Sequence, residues 1–272
     1  MPKQRLDLLV VQLGLCQTRE AARTAIMDGG ILVDGQIETK AGAQVAASAR
    51  IEIAPGWGPP KYVSRGGLKL EKALAVFAVD PQAKICLDIG ASTGGFTDCL
   101  LKHGAARVYA VDVGYGQLDW ALRQDPKVVV KERINARSLA PEMLYRKDDP
   151  WAQLAVMDVS FISILKILPA CLEVMDRASP DLICLIKPQF EAGRQAVGKG
   201  GVVRSASVQV EVIQSIVKAA ADLGLHAHGL TFSPIKGPAG NIEFLVHLRL
   251  DQPGEKLPIA EIVEEAHRTL NA

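Results

Sequence analysis

A strand-like run, Ile85 to Ile89, leads into Asp88-Ile89-Gly90-Ala91-Ser92-Thr93-Gly94-Gly95-Phe96-Thr97-Asp98. A strand, a glycine-rich turn and a helix start in this order let a ligand approach backbone N–H groups at the helix N-terminus. In dinucleotide-binding loops the second glycine of the fingerprint makes room for a pyrophosphate. Ser92 holds that position here, which disfavours a nicotinamide cofactor. Asp112, 22 residues beyond Gly90 and at the end of the next apolar run, is placed to accept hydrogen bonds from ribose hydroxyls. The expected ligand is therefore a nucleoside without pyrophosphate, a description that S-adenosylmethionine meets. Asp88 has two readings: it contacts the methionine part of that ligand, or it caps the helix and orients the loop.

In an open parallel sheet ligands sit beyond the carboxyl ends of the strands, so polar residues that close buried apolar runs matter most. Asp158 closes Leu154-Ala155-Val156-Met157, and Lys187 closes Leu182-Ile183-Cys184-Leu185-Ile186 ahead of Pro188-Gln189-Phe190-Glu191. If the last strand runs antiparallel to the others, its beginning lies at the same edge and brings in Glu243. Lys69, within Ser64-Arg65-Gly66-Gly67-Leu68-Lys69-Leu70, could reach that edge too. Desolvation lowers the pKa of a lysine at the end of a buried run and can make it a base near neutral pH, although flanking carboxylates oppose the shift. The plainer reading of two lysines and two carboxylates is an ion-pair network at a strand edge.

These groups need a frame to position them. From Ile85 onward, apolar runs at Ile85 to Ile89, Val108 to Val111, Val128 to Val130, Leu154 to Met157 and Leu182 to Ile186 alternate with helix-like segments. The alternation predicts βαβ crossovers and a mostly parallel sheet covered on both faces. Ile242 to Leu248, after the turn-rich Pro234 to Gly240, reads as the last strand. Upstream, Leu6, Leu9, Val10 and Leu13 share one face of an amphipathic helix. A second helix opens at Thr18, which can cap it, and stops at Asp28-Gly29-Gly30. Ile31 to Val33 and Arg50 to Ile53 then give short strands, so residues 1–53 form a small α+β unit. Residues 54–64 are a linker, because three prolines and two glycines in Ala54 to Pro60 forbid regular structure, and residues 65–272 hold the sheet.

The chain's 272 residues suffice for one large α/β domain and a small appendage without disulfide staples. An apolar fraction of 49% against 22% charged excludes a disordered chain, and 31 Lys+Arg against 30 Asp+Glu excludes a polycation. Five cysteines without a CxxC pair argue against a disulfide framework or zinc ribbon and for a reducing compartment, and no metal site is suggested. Lys3 and Arg5 ahead of Leu8 to Val11 imitate a lipoprotein signal ending at Cys16. Asp7 and Gln12 interrupt that stretch, however, and Leu15 stands where a small residue should. Nowhere is there a run of about eighteen apolar residues, so no spanning helix is expected and the chain reads as cytoplasmic.

DIGASTGGFTD at Asp88 to Asp98, YVSRGGLKL at Tyr62 to Leu70, MDVSFI at Met157 to Ile162, KPQFE at Lys187 to Glu191 and SPIKGPAGNIEF at Ser233 to Phe244 together resemble the TlyA family, also called haemolysin A. The resemblance runs over nearly the whole chain. It implies a Rossmann-like, mostly parallel methyltransferase sheet of the FtsJ type behind a small N-terminal α+β domain with an alpha-L RNA-binding motif. It implies S-adenosylmethionine-dependent methylation of ribose 2′-hydroxyls, those of cytidine, in ribosomal RNA, with ribosomal RNA or ribosomal subunits as partners. By the same resemblance Lys69, Asp158, Lys187 and Glu243 form a catalytic tetrad. Asp88, Gly90, Ser92, Thr93, Gly94, Gly95, Phe96 and Asp112 are the matching cofactor-binding residues.

Local charge must supply an RNA-facing surface. Residues 1–65 carry eight Lys+Arg and six acids, and Arg19 and Arg23 share one helix face at a spacing suited to phosphates. Arg5, Arg19, Arg23 and Arg65 are the RNA-binding candidates, the alternative being a solvated face. Gly193 to Arg204, with Arg194, Lys199 and Arg204, reads as a mobile loop beside the site or as a disordered crossover. Three other classes compete. A membrane-active haemolysin needs a spanning segment, a cationic amphipathic helix or a secretion signal, and none is evident. A catalytically silent RNA-binding assembly factor is opposed by the tetrad and cofactor loop, and a small-molecule methyltransferase by the N-terminal unit.

Overall fold

In the computed structural model, residues 3–271 are described apart from positions 17, 28, 59, 179, 251, 252 and 255. The chain divides into two units, Met1–Pro60 and Lys61–Ala272.

In the first unit β1 (Lys3–Arg5) runs into α1 (Leu6–Gln12), followed by α2 (Arg19–Met27), β2 (Ile31–Val33), β3 (Gln36–Ile37), β4 (Gln44–Ala46) and β5 (Ile51–Ile53). Leu6, Leu9 and Val10 of α1 and Ala22, Ala25 and Ile26 of α2 are buried with Ile31 and Ile51. Thr18 caps α2, its Oγ1 accepting from the Ala21 N–H at 3.1 Å. The apolar face read from spacing is one residue too long. α1 stops at Gln12 and Leu13 is 53% exposed, because the chain turns off at Gly14 with φ +70°. Asp28, the expected stop of α2, lies outside the described residues. β2 pairs antiparallel with β3 and β5, and β1 with β4. β1, β3 and β4 escaped the sequence pattern because two or three residues carry no period. Trp57 packs over Gly30, where a Cβ would stand 2.2 Å from the indole, so this part of the proline-rich segment is joined to the first unit.

The second unit opens with α3 (Gly66–Phe77), β6 (Ile85–Ile89), α4 (Gly95–Lys102), β7 (Arg107–Val111), α5 (Trp120–Gln124), β8 (Val128–Lys131) and α6 (Pro141–Leu144). It continues with β9 (Leu154–Met157), α7 (Leu168–Glu173), β10 (Asp181–Ile186), α8 (Pro188–Glu191), α9 (Ala206–Ala221), β11 (His226–Phe232), β12 (Phe244–Arg249) and α10 (Ile259–Leu270). One sheet takes seven of these strands in the order β11-β12-β10-β9-β6-β7-β8. β6 to β10 run parallel, and β12 is antiparallel to both its neighbours. Apolar side chains cover both faces, Leu87, Ile89 and Ile186 on one and Val108, Val156 and Leu185 on the other, which is why the central strands read as unbroken apolar runs. Every strand expected in this region forms within a residue or two of its run. β11 was missed: two histidines and a glycine break its apolar pattern, and it is bulged between Ala227 and Gly229.

Register decides which residues meet at the carboxyl edge. Met157 lies beside both Ile89 and Cys184, and Ile186 beside Phe244. Gly90 and Asp158 therefore leave neighbouring strands side by side. Lys187 leaves β10 where Glu243 enters β12, so the antiparallel last strand does bring that carboxylate to this edge.

Candidate active site

β6 ends in a turn at Gly90, where φ is +85° and a Cβ would stand 2.5 Å from the Asp158 carbonyl oxygen. Glycine is required there both by the dihedral and by the close approach. Ser92 also sits at positive φ, +49°, and its N–H donates to Asp112 Oδ2 at 2.8 Å, while the Gly114 N–H donates to Oδ1 at 2.6 Å. Asp112 thus clasps the loop across from its own turn. With Gly90, Ser92, Val113, Ile134 and Asn135 it lines a cleft of about 290 Å³. Farther along the loop, α4 meets the start of α3 backbone to backbone: a Cβ on Gly95 would stand 2.3 Å from Ser64 Oγ and 2.9 Å from the Gly67 nitrogen. This contact seats the first turn of α3, and with it Lys69, over the sheet edge.

The expected cofactor residues separate into three groups. Gly90, Ser92 and Asp112 line the first cleft, Gly90 and Ser92 bordering a second as well, and Thr93, Gly95 and Phe96 line the second alone, with Phe96 itself buried in the core. Gly94 lines neither; it forms the turn, at φ +96°, against Leu122 and Leu118. Asp88 is fully buried and lines neither cleft; its Oδ2 accepts from Thr97 Oγ1 at 2.6 Å, which ties the end of β6 to the first turn of α4. Burial pushes its carboxyl up to about 7, against the Thr97 hydrogen bond and with help from the charges of Asp158 and Asp112.

The three charged groups picked out at strand ends and Lys69 of α3 converge. Lys69 Nζ donates to Glu243 Oε2 at 2.6 Å and lies 4.0 Å from Asp158 Oδ2, and Lys187 Nζ lies 2.6 Å from Asp158 Oδ1. Glu243, Lys69, Asp158 and Lys187 form a chain of alternating sign, in which each buried charge has a partner. Lys187 also donates to Ser160 Oγ at 2.8 Å. Ser160 was missed as a site residue although it lies in the quoted MDVSFI motif, two positions beyond Asp158; a hydroxyl carries no charge to draw attention. All four tetrad residues line the second cleft, of about 320 Å³, with Arg65. The two clefts share Gly90, Ser92, Asp158 and Ser160, so Asp158 stands where they join.

The other RNA-binding candidates belong to the first unit. Arg5 Nη2 and Arg19 Nε each lie 2.9 Å from Asp7 Oδ2, and Asp7 is fully buried. The hydrogen bond from Arg5, reinforced by Arg19, holds this carboxyl well below the usual range despite burial. Both guanidinium groups remain about half exposed, and Arg23 is exposed on α2. In the sequence Asp7 reads as an interruption of the apolar stretch, and its tie to two arginines comes only from the fold. Within the segment Gly193 to Arg204, residues 198–203 form a turn held by three contacts. Gly198 bridges Val202, Asn241 Oδ1 accepts from the Val203 N–H at 2.9 Å, and Asn241 Nδ2 donates to Gly201 O at 2.9 Å.

Residues 62–250 match the FtsJ-like methyltransferase family. The chain belongs to that family. An S4 domain, an RNA-binding module, matches residues 4–51 of this FtsJ-like methyltransferase. The Bacillus subtilis protein YqxC is 48% identical over 98% of this chain and 95% of its own. A Mycobacterium tuberculosis protein named 16S/23S rRNA (cytidine-2'-O)-methyltransferase TlyA is 40% identical over 99% of this chain and 98% of its own. A solved structure from Streptococcus thermophilus is 43% identical, with a TM-score of 0.77 over 99% of this chain and 97% of that one. FtsJ-like methyltransferases use S-adenosylmethionine, and the lining of the first cleft, with the Asp112 carboxylate, the apolar Val113 and Ile134 and the amide of Asn135, has the chemistry a nucleoside needs. No helix among the described residues is long and apolar enough to cross a membrane.

Proposed function

We propose that this FtsJ-like methyltransferase transfers a methyl group from S-adenosylmethionine to the 2′-hydroxyl of a cytidine ribose in ribosomal RNA. It acts in the cytoplasm on folded RNA or assembled subunits. Residues 1–53 serve as the RNA-binding domain, 54–64 as linker and 65–272 as the methyltransferase domain. The observation that carries the reading is the Glu243–Lys69–Asp158–Lys187 chain at the junction of a nucleoside-sized cleft and a second, cation-rich one. The name of the M. tuberculosis relative supports the substrate.

When bound, S-adenosylmethionine supplies an electrophilic methyl group. The chain's own residues align the ribose oxygen and help remove its proton. Lys187 acts on the 2′-hydroxyl, as base or as the charge that lowers the hydroxyl's pKa. Asp158 and Ser160 fix the direction of Lys187, the first through the ion pair at 2.6 Å and the second through the hydrogen bond at 2.8 Å. Lys69, held by Glu243, positions the ribose, and Gly90, Ser92 and Asp112 hold the cofactor.

Purified protein incubated with radiolabelled S-adenosylmethionine and intact small subunits, large subunits or free ribosomal RNA is expected to label RNA at alkali-resistant positions. Lys187→Ala should abolish transfer while calorimetry still records cofactor binding. Label on protein or lipid, or normal turnover by the variant, would refute the reading.

A further inference from the structure

The second cleft is lined by four cations, Arg65, Lys69, Lys187 and Lys236, against two carboxylates, Asp158 and Glu243. Lys69 and Lys187 lie 2.6 Å from Glu243 and Asp158, so the excess positive charge rests with Arg65 and Lys236. Lys236 was not anticipated from the sequence. It belongs to a loop built tightly around Glu243. Ser233 N donates to Glu243 O at 2.8 Å, Gly237 N to Asn241 O at 2.9 Å, and a Cβ on Gly237 would stand 2.5 Å from Glu243 Oε1. The backbone that fixes the tetrad glutamate therefore also fixes where the Lys236 stem begins.

The Lys236 ammonium donates to a neutral group, Asn271 Oδ1, at 2.7 Å. A relay sets the direction of that amide. Gln209 Nε2 donates to Val203 O at 2.9 Å, which turns Gln209 Oε1 toward His267 Nε2 at 2.9 Å and makes that nitrogen a donor. His267 Nδ1 is then the acceptor for Asn271 Nδ2 at 3.4 Å, and the Asn271 oxygen is left to Lys236. A neutral amide is a weaker partner for an ammonium than an anionic oxygen. Lys69 and Lys187 are differently placed, since each is the nearest cation to a carboxylate of the tetrad.

We propose that Lys236 binds a backbone phosphate of the RNA beside the ribose held by the tetrad, and that Asn271 holds its ammonium at the cleft until the phosphate takes the amide's place. This rests on the RNA reading above. It assigns the lysine to substrate affinity and leaves methyl transfer to the tetrad.

The test uses the full chain with transcribed 16S and 23S RNA and purified subunits. Salt-dependent RNA binding, KM and kcat for methyl transfer, and cofactor affinity are measured in parallel. Lys236→Ala should lower the magnitude of the slope of log affinity against log salt by roughly 0.7 to 0.9, one phosphate's share, and raise KM for RNA. Cofactor affinity should hold. Lys236→Arg should restore the slope, and Asn271→Ala should leave KM equal to or below that of the wild type. Unchanged slope and KM in Lys236→Ala, or a loss confined to kcat or cofactor binding, would overturn the assignment. If the wild type labels no RNA, the methyltransferase reading fails, and the salt slope still reports on Lys236.

Discussion

Asp88 titrates near neutrality although it touches neither cleft. Its carboxyl is pushed from the ordinary aspartate value of about 4 up to about 7 on folding, chiefly through burial. A raised carboxyl favours the folded state while protonated, so this contribution is complete below about pH 4 and is lost as pH rises to about 7. Asp88→Asn keeps an acceptor for Thr97 without the ionisation. Urea unfolding should show the variant gaining on the wild type by up to about 4 kcal/mol between pH 4 and 7.5; parallel curves would refute it. Glu243, 1% exposed, is the nearest partner of the buried Lys69. Glu243→Ala should cost about 3 kcal/mol, and the double variant with Lys69→Ala less than the sum of the singles, as measured by chemical denaturation. Asp158, Lys187 and Glu243 were legible in the sequence because charge stands out at the end of an apolar run. Asp88's role was not, because its partner Thr97 comes from the following helix, and nothing in a sequence says which way a buried carboxyl turns.

Elements fix the site through close approach. Gly90 needs both its positive φ and its open Cβ position against Asp158, whereas Gly116, at φ +71°, has nothing within 4 Å of a Cβ. Gly116→Ala should therefore cost only the dihedral penalty, about 1 kcal/mol in thermal unfolding. Gly90→Ala must also displace the backbone that presents Asp158, and calorimetry should show cofactor affinity lost in this variant alone; equal affinities in the two would refute the argument. The glycine-rich loop was visible in the sequence because its strand, turn and helix are contiguous. The packing of Gly67 on Gly95, which carries Lys69 to the edge, joins residues 28 positions apart and leaves no periodic trace. The same reason hid β11, whose histidines and glycine obscure a strand that pairing with β12 makes good, and the turn at residues 198–204, whose order comes from Asn241.

For the whole molecule, a formal charge of +1 hid an uneven distribution, because a sum over 272 residues cannot show which charges are already paired. In the second cleft two lysines are committed to carboxylates, and Arg65 and Lys236 are left over. In the first unit, Asp7 holds Arg5 and Arg19 in place while leaving each partly exposed, and Arg23 is exposed one helical turn beyond Arg19. A buried carboxylate that orders two arginines lowers the entropy lost when they meet phosphates. Affinity should accordingly depend on a few preset contacts and chemistry on the tetrad, so the two can be separated by mutation. Arg19→Ala with Arg23→Ala should weaken binding to ribosomal RNA across sequences and reduce the salt slope by roughly 1.4 to 1.8, two phosphates' share, with cofactor affinity intact. Lys187→Ala should leave that slope unchanged and remove methyl transfer. If the double arginine variant binds with the wild-type slope, those side chains face solvent rather than RNA, and the burden of recognition moves to Arg65 and the cleft.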